Sequence, residues 1–237
     1  VVIPTYNERE NIGVLLKRVL EVASTHRLNL DILVVDDNSP DGTGNIVEEC
    51  SKKMPRIHLL RRPGKLGLGS AYKDGFRKAI EELEAEILVE MDADGSHNPK
   101  YLPAIVGKIL EGYDVVVGSR YIPGGSIQGW RLRRKLTSSG ANFLARRLCG
   151  IGVKDSTSGY RAFKAEALKR IGLERVSSSG YAFQVEMLFW TERLGLKVGE
   201  TPIAFIDRVR ARSKLGLKEM VKFIGLCLRL FFKRLPR

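Results

Sequence analysis

Five short apolar runs mark the first half of the chain, at residues 1–4, 32–36, 57–60, 87–91 and 114–118. Their length and their Val, Ile and Leu content are those of buried strands. The stretches between them carry helix-period patterns. Asn7 followed by Glu10 reads as a capping-box-like start to the first helix. The turn-rich run Asn38-Ser39-Pro40-Asp41-Gly42 leads into a second helix reaching Lys53. A Gly-rich loop leads into a third reaching Glu84, and a fourth spans 101–110. Strands alternating with such helices predict βαβ units. The expected fold is α/β, Rossmann-like, with a doubly wound, mainly parallel sheet covered by helices on both faces.

From Tyr121 onward the pattern is less regular. Gly124-Gly125 makes a flexible segment, a basic helix is expected over 130–148, and residues 155–161 read as a polar loop. Helices over 168–171 and 183–194 precede a strand over 198–206. No linker, repeat or low-complexity run divides the chain. One catalytic domain is therefore expected over 1–215, followed by a terminal helix over 216–237. At ~100° per residue, Lys218, Lys222, Arg229 and Lys233 share one stripe of that helix, and Met220, Phe223, Ile224, Leu228, Phe231 and their neighbours cover most of the rest. Such a profile belongs to an amphipathic helix lying in a membrane interface, or to a core helix with a solvated basic edge.

The composition of the 237 residues, 43% hydrophobic and 28% charged, is that of a folded globular protein. A formal charge of +13 calls for an anionic partner: nucleic acid, anionic lipid or a phosphorylated substrate. No recognised RNA- or DNA-binding pattern accompanies the charge, so nucleic acid is not expected. Cys50, Cys149 and Cys227 are scattered, which argues against a disulfide framework or a structural zinc site and fits a reducing compartment. No apolar run approaches the ~20 residues of a membrane-spanning helix.

In doubly wound sheets ligands bind beyond the carboxyl ends of the strands. Polar residues gather at four such ends: Thr5-Tyr6-Asn7-Glu8, Asp36-Asp37, Asp92-Ala93-Asp94 and Ser119-Arg120. Their convergence on one rim predicts an active site. Asp92 and Asp94 offer hard oxygen ligands suited to Mg²⁺ or Mn²⁺, which complete their shell with substrate phosphates. The plainer alternative is that they cap the following helix. Asp37 suits a nucleoside contact and Asp41 a helix cap. The loop from Pro63 to Ser70 matches neither GxxxxGK[ST] nor GxGxxG, which weakens ATPase and NAD readings. Arg208, Arg210, Arg212 and Lys214 form either a lid over a diphosphate or a solvated face.

Several runs together carry a resemblance: Val2-Ile3-Pro4-Thr5-Tyr6-Asn7-Glu8, Val34-Val35-Asp36-Asp37-Asn38-Ser39, Leu66-Gly67-Leu68-Gly69-Ser70, Met91-Asp92-Ala93-Asp94-Gly95-Ser96-His97, Gly118-Ser119-Arg120-Tyr121 and Ser213-Lys214-Leu215. Over nearly its whole length the chain resembles the family 2 glycosyltransferases of the GT-A fold, and within them the dolichyl-phosphate mannose synthases. The resemblance implies that Pro4, Tyr6 and Glu8, with Val35 and Asp37, hold a nucleoside. It implies that Asp92, Ala93 and Asp94 hold metal and diphosphate, with Ser96 as a further metal contact. By the same resemblance Arg120, Arg208 and Lys214 steady donor or acceptor phosphates, and Gln184 lines the sugar pocket. Asp92, Asp94, Arg120 and Arg208 form the expected catalytic set. Arg131 and Arg134 are the candidates for the acceptor phosphate.

The implied reaction transfers mannose from GDP-mannose to a polyprenyl (dolichyl) phosphate with inversion. The implied setting is the cytosolic face of a membrane, with membrane-anchoring subunits as partners. A phosphate acceptor is already anionic, so no general base is assigned. The alternatives are a UDP-sugar-dependent hexosyltransferase acting on the same acceptor and a non-catalytic membrane-surface module.

Overall fold

The computed structural model describes residues 1–207 and 217–234. The expected alternation is present as β1 (Val2–Thr5), α1 (Arg9–Thr25), β2 (Ile32–Asp36), α2 (Thr43–Lys53), β3 (Ile57–Arg61), α3 (Leu68–Glu81), β4 (Ile87–Glu90), α4 (Leu102–Leu110) and β5 (Val115–Ser119). Then follow β6 (Ser126–Gln128), α5 (Leu132–Cys149), β7 (Arg161–Lys164), α6 (Ala165–Ile171), α7 (Tyr181–Arg193), β8 (Val198–Pro202), β9 (Ala204–Ile206) and α8 (Leu217–Arg234).

The main sheet has the order β3-β2-β1-β4-β7-β5-β8. Side chains alternate across it, as the two-residue period of a strand requires. Ile3, Ile32, Val34, Val89 and Val116 pack with Ile12 and Leu16 of α1, Val47 of α2 and Ile105 of α4. Val2, Leu33, Val35, Leu88 and Phe163 pack on the other face with Tyr72 and Phe76 of α3, Leu168 of α6 and Met187 of α7. The fold is thus α/β, mostly parallel, with helices on both faces. Helix α3 lies very close to the sheet at Gly75, where an added Cβ would meet Val2 Cγ1 at 2.5 Å and Val35 Cγ2 at 2.9 Å.

The structure differs from the sequence reading in three places. Asn7 does not cap α1: its φ is 62°, and the helix starts at Arg9 with no side-chain cap from Glu8. Asn tolerates the left-handed region and turns the chain out of β1. The first N–H of α1, from Arg9, donates instead to Asp41 Oδ2 at 3.1 Å, while Asp41 Oδ1 accepts from Thr43 N–H at 2.9 Å. One carboxylate thus serves the starts of both α1 and α2. Burial opposes its ionisation, but the bonds from Thr43 and Arg9 prevail and hold its pKa below the ordinary value.

The second difference is β7, a strand the sequence reading did not expect, whose first residue, Arg161, it placed at the end of a polar loop. It runs antiparallel to both β4 and β5 and sits between them. The third is the run 198–206, which splits at Ile203. There β8 joins the main sheet beside β5, whereas β9 pairs with β6.

A third apolar cluster joins α5, α7 and α8 through Ala145, Cys149, Val185, Phe189, Leu226, Cys227 and Leu230. Helix α8 is thus docked on one face, yet Val221, Ile224, Leu228 and Phe232 remain exposed. Among the described residues, no helix is long and apolar enough to cross a membrane.

Candidate active site

Strands β1, β2, β4 and β5 run in one direction, so their carboxyl ends share a rim. Because β7 runs the other way, the loop that precedes it, residues 155–160, reaches that same rim. The inserted antiparallel strand therefore adds to the site a segment that no parallel strand would supply.

Glu90, the last residue of β4, is fully buried. Its Oε2 accepts from Gln184 Nε2 at 2.8 Å, and its Oε1 has no hydrogen-bond partner. Burial pushes its pKa up to about 8 against the opposing pull of Arg161 and Gln184, and the charge of Asp92 adds to the rise. Glu90 accordingly carries a proton at neutral pH. Burial, followed by the charges of Asp92, Glu90 and Asp94, likewise holds the Tyr72 hydroxyl well above its ordinary pKa.

Beyond Glu90, Asp92 N–H donates to His97 Nδ1 at 3.0 Å. That bond assigns the neutral ring's proton to Nε2, which lies 3.8 Å from Asp92 Oδ2. His97 is buried and stacks on Tyr160, with ring centroids 5.0 Å apart. Asp94 Oδ1 accepts from Ser96 N–H at 2.9 Å, while the buried Ser96 Oγ has no partner. Two half-buried carboxylates beside an orphaned hydroxyl form an oxygen donor set that fits a hard divalent cation. Among the described residues, no cluster of three or more His, Cys, Asp or Glu side chains could hold a metal by itself. A cation here would need ligand oxygens from a substrate.

On the β1–β2 side, Asp36 is structural, accepting from Thr5 Oγ1 at 2.9 Å and Ser39 N–H at 3.0 Å. Asp37 is buried beside Arg62, whose Nε donates to Oδ1 at 2.6 Å. Its Oδ2 accepts from Leu66 N–H at 3.2 Å and Gly67 N–H at 3.3 Å. Asp37 thereby pins the Gly-rich loop across the strand ends. Lys65 of that loop lies over the Tyr6 ring, 3.9 Å from its centroid. Pro4, Tyr6 and Glu8 are half-buried on this rim, above the buried Val35.

A cavity of about 670 Å³ runs from Asp92 and His97, past Arg120, Trp130 and Arg134, to α5 and α8. Arg120 is buried and clamped by Asp155, its Nε and Nη2 each donating over 2.7 Å. Burial opposes the charge on Asp155, but Arg120 outweighs it and keeps the carboxyl below its ordinary pKa. The guanidinium of Arg120 also faces the Trp130 and Phe205 rings at 5.2 and 5.4 Å. Arg134 donates to Asp207 Oδ1 at 2.7 Å and lies 4.1 Å over the Trp130 ring.

Of the two arginines expected at the acceptor phosphate, Arg134 lines the cavity and Arg131 does not. Arg131 precedes the first helical residue of α5, so it does not share the helical face that carries Arg134. Gln184 lies behind the cavity, bonded to Glu90, with its Oε1 unpartnered. Arg208 and Lys214 lie outside the described residues.

Residues not singled out in the sequence are Asp155, Glu90 and the fully buried Arg161. The Arg161 guanidinium donates to the backbone oxygens of Ser156, Ser158 and Gln184 at 2.8, 2.7 and 2.6 Å. It ties the loop before β7 to α7. The only sequence signal for these is their polar character beside strand ends.

The family model for glycosyl transferase family 2 matches residues 1–172. The polyprenol monophosphomannose synthase of Mycolicibacterium smegmatis is 43% identical over 217 residues, covering 91% of this chain and 80% of that protein. The undecaprenyl-phosphate mannosyltransferase of Micrococcus luteus is 42% identical over 215 residues, covering 91% and 86%. Among solved structures, the glucosyl-3-phosphoglycerate synthase of Mycobacterium tuberculosis, with Mn²⁺, UDP and phosphoglyceric acid, gives a TM-score of 0.69 at 22% identity, covering 100% of this chain and 78% of that one. The mannosyl-3-phosphoglycerate synthase of Rubrobacter xylanophilus gives 0.70 at 18% identity, covering 98% and 72%. The solved structures share the GT-A fold, the sequence relatives extend over nearly all of the chain, and the protein belongs to glycosyl transferase family 2.

Proposed function

We propose that this glycosyltransferase moves mannose from GDP-mannose to a polyprenyl phosphate, with inversion, at the cytosolic face of a membrane. The observation that carries the reading is the single cavity joining the Asp92 carboxylate centre to a cationic, apolar-walled space between α5 and α8. Such a space suits a phosphate on an apolar chain. Mannosyl transfer to polyprenyl phosphates is what the names of both sequence relatives describe.

In this reading the nucleoside lies along Pro4, Tyr6, Glu8, Val35 and Asp37. Asp92 and Asp94, with the orphaned Ser96 hydroxyl, hold Mg²⁺ or Mn²⁺. When bound, the cation neutralises the charge that develops on the departing diphosphate. Arg120 arrives already oriented, because Asp155 fixes its guanidinium and little reorganisation remains at the moment of transfer. Arg134 faces the same space from α5. Gln184 acts from behind the cavity, its Nε2 holding Glu90 at the end of β4. The anionic acceptor attacks in line from the side opposite the diphosphate, which gives the β-linked product. The membrane setting is supported by apolar residues left exposed on two helices. On α5, Leu132, Leu136 and Phe143 share an arc of ~40°, bordered by Lys135, Arg146 and Arg147.

The test is incubation with labelled GDP-mannose or UDP-glucose, a short polyprenyl phosphate, and Mg²⁺, Mn²⁺ or a chelator. Lipid-linked mannose should form from GDP-mannose only when a divalent ion is present. Equal transfer from UDP-glucose would replace the donor, and undiminished transfer in chelator would remove the metal.

A further inference from the structure

Two cations of the α8 stripe, Lys222 and Arg229, are exposed and border the cavity. Seven residues apart and so within ~20° of each other around the helix, both line the cavity that Arg120 and Arg134 also line. Val221, Leu228 and Phe232 occupy a separate exposed stripe outside it. Lys222 and Arg229 thus stand on the cavity side of α8, and this apolar edge stands away from it.

Glu186 explains the direction of Arg229. It lies on α7 with 0% exposure. Its Oε2 accepts from Ser177 N–H at 3.0 Å and Ser178 N–H at 2.8 Å, fixing the loop whose serines also line the cavity. Its Oε1 has no hydrogen-bond partner, and Arg229 Nη2 stands 3.7 Å away. The same Nη2 reaches Ser178 Oγ at 3.5 Å. A buried carboxylate with an unsatisfied oxygen draws the guanidinium in. Both contacts are longer than the ~2.7–2.9 Å of a formed charge-assisted hydrogen bond. Arg229 is therefore aimed without being locked, unlike Arg120, which Asp155 clamps.

We propose that Arg229, placed by Glu186, and Lys222 bind the phosphate of the acceptor, so that α8 forms part of the acceptor site. The ligand chemistry is a phosphate monoester on an apolar chain: the charge meets Arg229, Lys222 and Arg134, and the chain lies along Leu144, Phe223 and Ile224. The acceptor role rests on the transfer reaction proposed above, but the binding can be measured without turnover.

The probe is citronellyl phosphate, a short water-soluble polyprenyl phosphate, titrated into the full chain by calorimetry. Arg229→Gln should weaken its binding about tenfold, the loss of one charge-assisted contact. Arg229→Lys should recover part of the loss, and Lys222→Gln should weaken binding about threefold. GDP affinity and sedimentation with anionic vesicles lacking any polyprenyl phosphate should stay unchanged in each variant. The proposal is overturned if Arg229→Gln binds the probe as the parent does, or loses GDP binding to the same degree. It is also overturned if vesicle association falls instead, because the arginine then serves lipid headgroups. A parent protein that does not bind the probe overturns both this site and the reaction. A tenfold loss in a protein that never turns over GDP-mannose supports the site and removes only the reaction.

Discussion

The two ends of the cavity are built with opposite charge and opposite surroundings. At the strand rim Asp92 lines the cavity, with the buried Glu90 and with Asp94 within a few residues of it in the chain. At the helical end stand Arg120, Arg134, Lys222 and Arg229, brought from three separate segments and flanked by Trp130, Phe205 and Phe223. The contrast teaches what each end can hold. Carboxylates crowded around a neutral Glu90 favour a cation and, through it, a diphosphate. Guanidinium groups over aromatic rings favour an anion that carries apolar bulk. A substrate pair of that kind would be oriented by charge before any contact is made.

The largest effect should come from removing charge at the rim. Asp92→Ala is expected to cut transfer about a thousandfold, the scale of losing one preorganised electrostatic group. The thermal midpoint should hold, because the Asp92 side chain is half-exposed and its backbone N–H keeps the bond to His97. Turnover near the parent level would mean that the negative end does no chemistry.

The matching change at the other end should act on stability as well. Asp155→Ala leaves Arg120 buried without its bidentate partner, a loss expected to cost about 3 kcal/mol in urea unfolding. Transfer should fall too, because the guanidinium is no longer fixed. A stability loss well under 1 kcal/mol would show that Arg120 finds water or another acceptor when the clamp is gone.

The same contrast governs what could be read from the sequence. The rim carboxylates Glu90, Asp92 and Asp94 lie at the end of β4 or within four residues of it, so the apolar run that predicts the strand also places them. The cationic end is assembled by distant pairings: Arg120 with Asp155, Arg134 with Asp207, Arg229 with Glu186. Nothing local announces them. Strand β7 was hidden for a related reason. It begins with Arg161, a residue that belongs on a surface unless partners far along the chain take up its donors, as three backbone oxygens do here. Helix periodicity correctly grouped Lys222 with Arg229, but only the docking of Leu226, Cys227 and Leu230 on α5 and α7 fixed which way that stripe faces. Asn7 misled because its composition suits a cap and a left-handed turn equally well.

A pH series sharpens the comparison from the rim side. The folded pKa of Glu90, about 8, lies above its ordinary 4.5, so the folded state holds a proton that the unfolded state has released. Stability from this group is complete below pH 4.5 and is lost as pH rises toward 8. Between those limits the slope is about 1.4 kcal/mol per pH unit. In chelator, which keeps cations from the neighbouring carboxylates, the parent should therefore lose about 2 kcal/mol relative to Glu90→Gln between pH 5.5 and 7. Parallel stability curves would mean that Glu90 is ionised throughout.

Gly75→Ala tests the packing beneath the rim without touching its charges. The added methyl would press on Val2 and Val35, so α3 must shift away from the sheet, at a cost of about 1–2 kcal/mol. Because α3 carries Tyr72 toward the carboxylates, donor binding should weaken with it, whereas citronellyl phosphate binding should not. An equal loss at both ends would mean that the two regions move as one.

The smallest effect on the fold should come from the exposed edge of the helical end. Phe143 is 71% exposed and Leu136 64% exposed on the same side of α5. Replacing either with Glu removes no buried contact, so unfolding should change by less than about 0.5 kcal/mol. If that edge meets a bilayer, the same substitution puts a negative charge among anionic headgroups and takes an apolar anchor out of them. Sedimentation with anionic vesicles should then fall several-fold, while transfer to a detergent-dispersed acceptor stays near the parent rate. Unchanged vesicle association in both variants would reverse the assignment: α5 and α8 would close an acceptor cavity without touching a membrane, and the apolar edge would need a different partner.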